Sequence, residues 1–219
     1  MSNSTPSAAN PKAASVLLIF GAGGHGKVLV DAALLSGQWS RIVMSDRQPP
    51  TDTRPSLPGI DLITVASAEL LNPAVHIAIG NNDSRQKEAE AWGHNKLASV
   101  VHPAASVSVF STLGAGSFVA AGAVVGPAAR LGMCVIINHG AVVDHDVVVG
   151  AFSHIAPNAS LGGHVSVGQR VLIGSGAVVL PSVTIGDDVT IGAGSVVTAN
   201  LPDPGTYVGI PARRIYGIE

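Results

Sequence analysis

Between Val101 and Val197 a branched aliphatic residue recurs at every sixth position without interruption. The series runs from Val101, Val107 and Leu113 through Leu131, Ile137, Val143 and Val149 to Ile185, Ile191 and Val197. A period of six fits neither the 3.6 of an α-helix nor the plain alternation of a strand. It fits a left-handed parallel β-helix of hexapeptide repeats, in which each hexad is a short strand plus a corner and three hexads make one coil. Four residues after each aliphatic comes a second inward position, held by Ala, Ser or Val throughout, as in Ala105, Ser117, Ala141 and Val165. The residue directly after the aliphatic is often Gly, as at Gly114, Gly126, Gly150 and Gly174. These glycines read as corners whose backbone angles a Cβ resists. Asn138 and Asp144 fill two other corners with types that tolerate left-handed angles.

The outward strand positions sort into three faces, because a coil spans three hexads. One carries Val124, Val142, Ser160, Val178 and Val196. A second carries Phe118, Ile136, His154, Leu172 and Thr190. The third carries Thr112, Arg130, Val148, Ser166 and Thr184. Two faces are mostly apolar, and apolar faces of this size mark interfaces. Three prisms around a threefold axis would cover two faces each, so the pattern predicts a homotrimer, with Leu172 in its interface.

Residues 15–98 follow a different rhythm. Val16–Phe20 is an apolar run ending in Gly21-Ala22-Gly23-Gly24-His25-Gly26, and a helical stretch, Lys27–Leu35, follows. Strands are predicted at Arg41–Asp46 and His76–Asn81, with a helix over Asp83–Trp92. This is a Rossmann-like α/β half-domain with its crevice at the strand C-terminal ends. Gly21-x-Gly23-x-x-Gly26 between strand and helix fits the phosphate-cradling fingerprint, with Asp46 twenty residues on. A dehydrogenase reading fails, because only half of a dinucleotide fold is present and no catalytic domain for hydride chemistry follows. One half-fold accommodates one nucleotide, flanked by Asp46 and the Gly80-Asn81 turn. Pro49, Pro50, Pro55 and Pro58 predict a loop, a candidate flap over the ligand. A β-helix domain over 99–198, a C-terminal tail over 199–219 and a disordered tail over 1–14 complete the division.

The net charge of −2 argues against nucleic acid and anionic membranes. A single cysteine, Cys134, gives no disulfide framework. With no long apolar run, a cytoplasmic protein without membrane insertion is expected. Among the histidines, His145 stands between Asp144 and Asp146 just past a corner, the setting of a general base whose tautomer a carboxylate fixes. Gly163, one coil on, reads as space left for a substrate, and His164, one coil after Asp146, competes for that carboxylate. His154 interrupts an apolar column, either as a ligand contact or as a hydrogen-bonding group across the trimer. The histidine spacings of 6, 9 and 10 between His139, His145, His154 and His164 do not suggest a zinc site, and no metal is expected.

Gly-Ala-Gly-Gly-His-Gly at 21–26, Ile-Gly-Asn-Asn at 79–82, Asp-His-Asp at 144–146, Phe-Ser-His at 152–154 and Val-Gly-Ile-Pro-Ala-Arg at 208–213 occur here in order. With these motifs the chain resembles the bacterial sugar O- and N-acyltransferases of the sialic acid O-acetyltransferase type. Within that group it is most similar to the UDP-4-amino-sugar N-acetyltransferases of the bacillosamine pathway. The resemblance implies a homotrimer with a nucleotide-linked amino sugar in the N-terminal domain and acetyl-CoA between neighbouring β-helices. It implies His145 as general base with Asp146 as partner. His154, Ser175, Ala193 and Arg213 would contact acetyl-CoA, and Gly23, Gly24, His25, Ser45, Asp46, Gly80 and Asn138 the nucleotide sugar. This family commonly has Glu on both sides of that histidine, where this chain has Asp. O-acetylation of sialic acid, N-acetylation of a GDP-linked sugar such as perosamine, and a non-enzymatic nucleotide-binding scaffold remain alternatives.

Overall fold

The computed structural model describes residues 15–48 and 57–216. The N-terminal segment 1–14 and most of the proline-rich stretch read as a flap lie outside the described residues.

Strand β1 (Val16–Phe20) is buried along nearly its whole length, as an unbroken apolar run in a parallel sheet covered on both faces should be. It is followed by helix α1 (Gly24–Ser36) and strand β2 (Arg41–Ser45). The short strand β3 (Asp61–Leu62) and helix α2 (Val65–Leu70) come next, in a region that the sequence marked only by its prolines. Strand β4 (Ala74–Ile77) and helix α3 (Asn82–Trp92) complete the unit. The sheet is parallel in the order β3-β2-β1-β4. Asn81 caps α3, its Oδ1 accepting from the Ser84 N–H at 2.9 Å. Leu97 bridges to Val75 at the sheet edge, and the chain then enters the β-helix at Val100.

From Val100 onward the chain coils into a three-sided parallel β-helix. Strands pair with partners 18 residues away, as in Ile136 with His154 and Val142 with Ser160. The three sheets carry the three outward sets read from the sequence. Inward aliphatics such as Ile137, Val143, Ile155 and Leu161 are fully buried, with Ala141 and Ala159 filling the narrow space between them. Each such aliphatic stabilises the prism by about 1.5–3 kcal/mol.

The corner glycines do a different job from the one expected. Gly114, Gly126, Gly150 and Gly174 do not have positive φ; the left-handed residues lie two positions further on, at Gly116, Ala128, Phe152 and Gly176. A Cβ on Gly114 would come 2.4 Å from the Gly132 backbone carbonyl carbon, and one on Gly150 the same distance from that of Gly168. These glycines therefore allow successive coils to stack closely. Asn138 and Asp144 likewise do not have positive φ, whereas Asp146 does, at +59°.

One further expectation is corrected. The face bearing Phe118 and Ile136 is covered within the chain, by Leu29, Val30 and Ala33 of α1 and their neighbours. It is therefore not open for a subunit contact along that half. Beyond the last coil, Gly205–Val208 pairs with Val189–Ile191, and Arg213–Ile215 folds back antiparallel on it. This hairpin ends the sheet and covers an otherwise open strand edge. No helix among the described residues is long and apolar enough to cross a membrane.

Candidate active site

The turn from β1 to α1 is shaped by two of its glycines. Gly21 has φ +119°, and a Cβ there would stand 2.6 Å from the Ala78 carbonyl oxygen; on Gly26 it would stand 2.0 Å from the Gly21 oxygen. Gly23, Gly24 and Gly80 instead face open space, with no atom within 4 Å of a Cβ. The N-terminus of α1 has neither a side-chain cap nor an acidic residue in its first turn, so its free N–H groups suit an anionic ligand. Asp46 fastens this loop: its Oδ2 accepts from Ala22 N–H at 2.8 Å and its Oδ1 from Gln48 N–H at 2.9 Å. Ser45, the last residue of β2, is fully buried with no partner for its Oγ, and its carbonyl accepts from the Gly21 N–H of the glycine turn at 2.8 Å.

Behind the loop lies a group of neutral histidines. The His25 ring packs edge-on against Phe118 at 5.6 Å and lies 6.5 Å from that of His154. His76 is buried and bonds the Ala98 carbonyl through Nδ1 at 2.8 Å. His154 Nε2 lies 3.1 Å from Asn138 Nδ2. With the amide as donor, the imidazole accepts there and carries its proton on Nδ1, hydrogen-bonded to the Gly80 backbone. Burial holds His25 down to about 3 and His76 and His154 to about 4, and the nearby Arg85 charge pushes each the same way. The polar residue in the apolar column thus joins the β-helix to the turn after β4.

Arg85 is the residue that sequence reasoning missed. It lies on α3 and is 1% exposed. It donates to the carbonyls of Cys134, Ile79 and Gly80, to that of Phe152, and to Asn82 Oδ1. No carboxylate is among these partners, and burial lowers its pKa to about 10. The only signal in the sequence was an Arg among the buried-face positions of α3. Beside it a cleft of about 250 Å³ lies between the turn Gly80–Asp83 and Arg170, Leu172, Asp188 and Thr190. Leu172, expected in a subunit interface, lines this cleft. Arg170 is fixed there by a two-pronged bond to Asp188 at 2.6 and 2.7 Å.

His145 sits at the corner between the other two faces. Its Nδ1 is 2.9 Å from Asp146 Oδ2, while Asp144 turns to accept from the His145 backbone N–H at 2.7 Å. The hydrogen bond to Asp146, helped by the charge of Asp144, raises the imidazole's pKa; the same bond lowers that of Asp146. With Nδ1–H given to the carboxylate, Nε2 is left with a lone pair, the arrangement of a general base. Gly163 does not leave a void. The imidazole fills it, since a Cβ there would stand 2.6 Å from His145 Cε1 and Nε2. Cys134 is buried, with its thiol pushed up to about 11 by that burial, and offers no nucleophile.

Ser175 and Ala193 are exposed and lie one above the other on the edge that also carries Asn138 and His139, with the Gly194 N–H donating to the Ser175 carbonyl at 2.9 Å. Arg213 lies in the closing hairpin, its Nη1 bonded to the Ala212 carbonyl at 2.9 Å. The candidate residues therefore fall into two groups. His25, Gly80, Asn138 and His154 converge where the half-domain meets the prism, and Asp46 fastens the glycine turn that carries His25. His145 and Asp146 lie on the opposite edge of the same prism.

A parallel α/β half-fold with a glycine turn, joined to a hexapeptide prism with a carboxylate-oriented histidine, defines an acyltransferase scaffold. Residues 16–91 match the PglD N-terminal domain, and residues 164–199 match the bacterial transferase hexapeptide repeat. The acetyltransferase domain of PglB from Neisseria gonorrhoeae is 36% identical with a TM-score of 0.83, over 91% of this chain and 99% of that one. It is also known in complex with acetyl coenzyme A. GDP-perosamine N-acetyltransferase from Caulobacter crescentus, solved with CoA and GDP-perosamine, is 35% identical with a TM-score of 0.85, over 94% of this chain and 99% of that one. WeeI from Acinetobacter baumannii is 25% identical with a TM-score of 0.79, over 92% and 100%. Comparison with curated protein sequences gives no match. The chain belongs to the bacterial sugar acetyltransferases with a PglD-type N-terminal domain and a hexapeptide β-helix, and it is an acetyltransferase.

Proposed function

We propose that this protein transfers an acetyl group from acetyl-CoA to the amino group of a nucleotide-linked amino-dideoxy sugar, with His145 as general base. The observation that carries the reading is the His145–Asp146 pair, a base held in one tautomer on a scaffold whose relatives bind CoA and amino sugars. UDP-4-amino-dideoxy sugars and GDP-perosamine are the two acceptors to weigh. The second is the sugar nucleotide bound by the Caulobacter relative, and the Neisseria relative matches this chain equally well.

The nucleotide diphosphate would lie against the free N–H groups of Gly23 and Gly24, over the loop that Asp46 fastens. His25, Gly80 and Asn138 would border the sugar. The acceptor nitrogen attacks the thioester carbonyl carbon while His145 Nε2 takes its proton, and the carbon–sulfur bond then breaks to release CoA thiolate. Such general-base help is worth about 10²–10⁴-fold. Asp146 stabilises the imidazolium as it forms. His154, held by Asn138, and the exposed backbone at Ser175 and Ala193 would border the acetyl-CoA arm, with Arg213 near its phosphates.

The two groups of residues do not meet within one chain, because His145 lies on the edge away from the face that the half-domain covers. A second copy must supply His145 to the crevice of the first, which supports the homotrimer. The open apolar face of Val124, Val142, Val178 and Val196 is the surface for that contact. Orientation across that boundary adds a further large factor to the rate.

The test is a panel of acceptors incubated with acetyl-CoA: UDP-2-acetamido-4-amino-2,4,6-trideoxy-glucose, GDP-perosamine and sialic acid. CoA release with a product heavier by one acetyl group on an amino sugar supports the proposal and chooses the nucleotide. Acetylation of sialic acid alone would replace amine transfer with hydroxyl transfer.

A further inference from the structure

His145 and Asp146 share their corner with a third group that the proposed transfer does not use. His164 follows Asp146 by one coil in the same column of left-handed residues, at φ +61° against +59°. Its backbone N–H donates to the His145 carbonyl at 3.1 Å, so the stacking of coils fixes the two residues together. The rings meet edge to face, with centroids 5.2 Å apart. Asp146 Oδ2 lies 2.9 Å from His145 Nδ1 and 3.8 Å from His164 Nε2, and the three donor atoms all fall within 4.8 Å of one another. A tetrahedral zinc ion with bonds of about 2.1 Å needs ligand atoms about 3.4 Å apart, close to this spacing.

We propose that His145, Asp146 and His164 form a binding site for a divalent transition-metal ion of the zinc class, and that occupancy of this site inhibits the enzyme. Two imidazole nitrogens and one carboxylate oxygen are ligands such ions favour, and a fourth position stays open to water. The backbone already holds the set together. Gly163 lets the Cε1–Nε2 edge of the His145 ring approach the coil, and Asp144 adds negative charge beside it without being a ligand. The charge of Arg130, which bears on Asp146, opposes binding.

Inhibition follows from the tautomer and rests on the role of His145 proposed above. A cation on Nδ1 takes that nitrogen's lone pair, so the ring's single proton sits on Nε2. The nitrogen that should accept the acceptor's proton then has none of its lone pair to offer. The metal here is an inhibitor of a metal-free reaction, not a cofactor.

The experiment titrates zinc chloride into wild-type protein and the His164→Asn variant by calorimetry, with acetyl transfer followed in parallel. Asn tolerates the left-handed backbone at this position, so the variant keeps its fold. Product is separated chromatographically, because CoA thiolate itself binds zinc. One zinc per chain is expected, with affinity falling at least about tenfold in His164→Asn, as for loss of a metal-site group. That variant keeps its turnover without zinc and loses sensitivity to zinc by the same factor. Equal zinc affinity in both proteins would overturn the site. Zinc binding that depends on His164 but leaves turnover intact would overturn the inhibition and, separately, the base role of His145.

Discussion

The Arg85 guanidinium donates to the Cys134 carbonyl at 2.9 Å, joining α3 to a coil 49 residues further along the chain. A buried cation surrounded by carbonyls and one amide oxygen is held by several bonds at once, and each acceptor loses its partner if the side chain goes. Arg85→Met, of similar length, should therefore lower the unfolding free energy by about 2–3 kcal/mol despite removing a buried charge. Urea denaturation of the two proteins checks this. An unchanged midpoint would mean that water replaces the guanidinium without cost.

Removing the base should be felt in the rate alone. His145→Ala is expected to lower turnover by at least ~10²-fold with the oligomer intact, since the contact is assigned to the apolar face of Val124, Val142, Val178 and Val196. Wild-type turnover would end its assignment as base.

Gly163→Ala tests position rather than chemistry. Its methyl group would occupy the place of the His145 Cε1–Nε2 edge and swing the ring outward. A displacement of this size costs up to about 10²-fold in kcat. Steady-state kinetics should show that loss with little change in thermal stability.

Val178 is 38% exposed on the apolar face that the half-domain leaves open. Val178→Asp should split the assembly, because an unpaired carboxylate would be buried at the contact. Sedimentation velocity would report monomers, and activity should fall with assembly, since His145 of one copy would no longer reach the crevice of another. An active trimer in this variant would place the contact elsewhere.

Stability should decline on mild acidification. His25, His76 and His154 are held at about 3, 4 and 4, below the 6.5 of a free imidazole. Below 6.5 the unfolded chain takes up protons that the folded chain refuses, so stability is complete above that pH and falls as pH drops toward 4. Denaturation midpoints at about pH 7.5 and pH 5 would show the difference, and His76→Gln should reduce it. Equal midpoints would mean that these rings titrate normally in the fold.

The hexad period made the prism, its core and its three faces legible, because one spacing repeated over a hundred residues leaves no competing register. The work done by the glycines was not legible. Gly114 would appear in the sequence in the same way whether it allowed a turn or a close stack, and only the 2.4 Å approach separates the two. Phe118 and Ile136 looked like an interface between copies because periodicity cannot say which neighbour covers a face, another chain or the chain's own α1. The hairpin at 205–215 breaks the six-residue spacing and so read as a tail. In the site, His145 was marked by its two flanking carboxylates, whereas Arg85 shares the helical spacing of Ala89 and Trp92 but is of a residue type that is mostly exposed.

Pairing at an interval of 18 residues has a consequence for how this chain can change length. An insertion or deletion of 18 residues between Val101 and Val197 keeps every column above and below it in alignment. One of six residues turns all that follows by a third of a revolution, and between Asn138 and His154 it carries the two apart. Lineages of this scaffold can thus lengthen or shorten only in whole revolutions, or else must rebuild the site they carry.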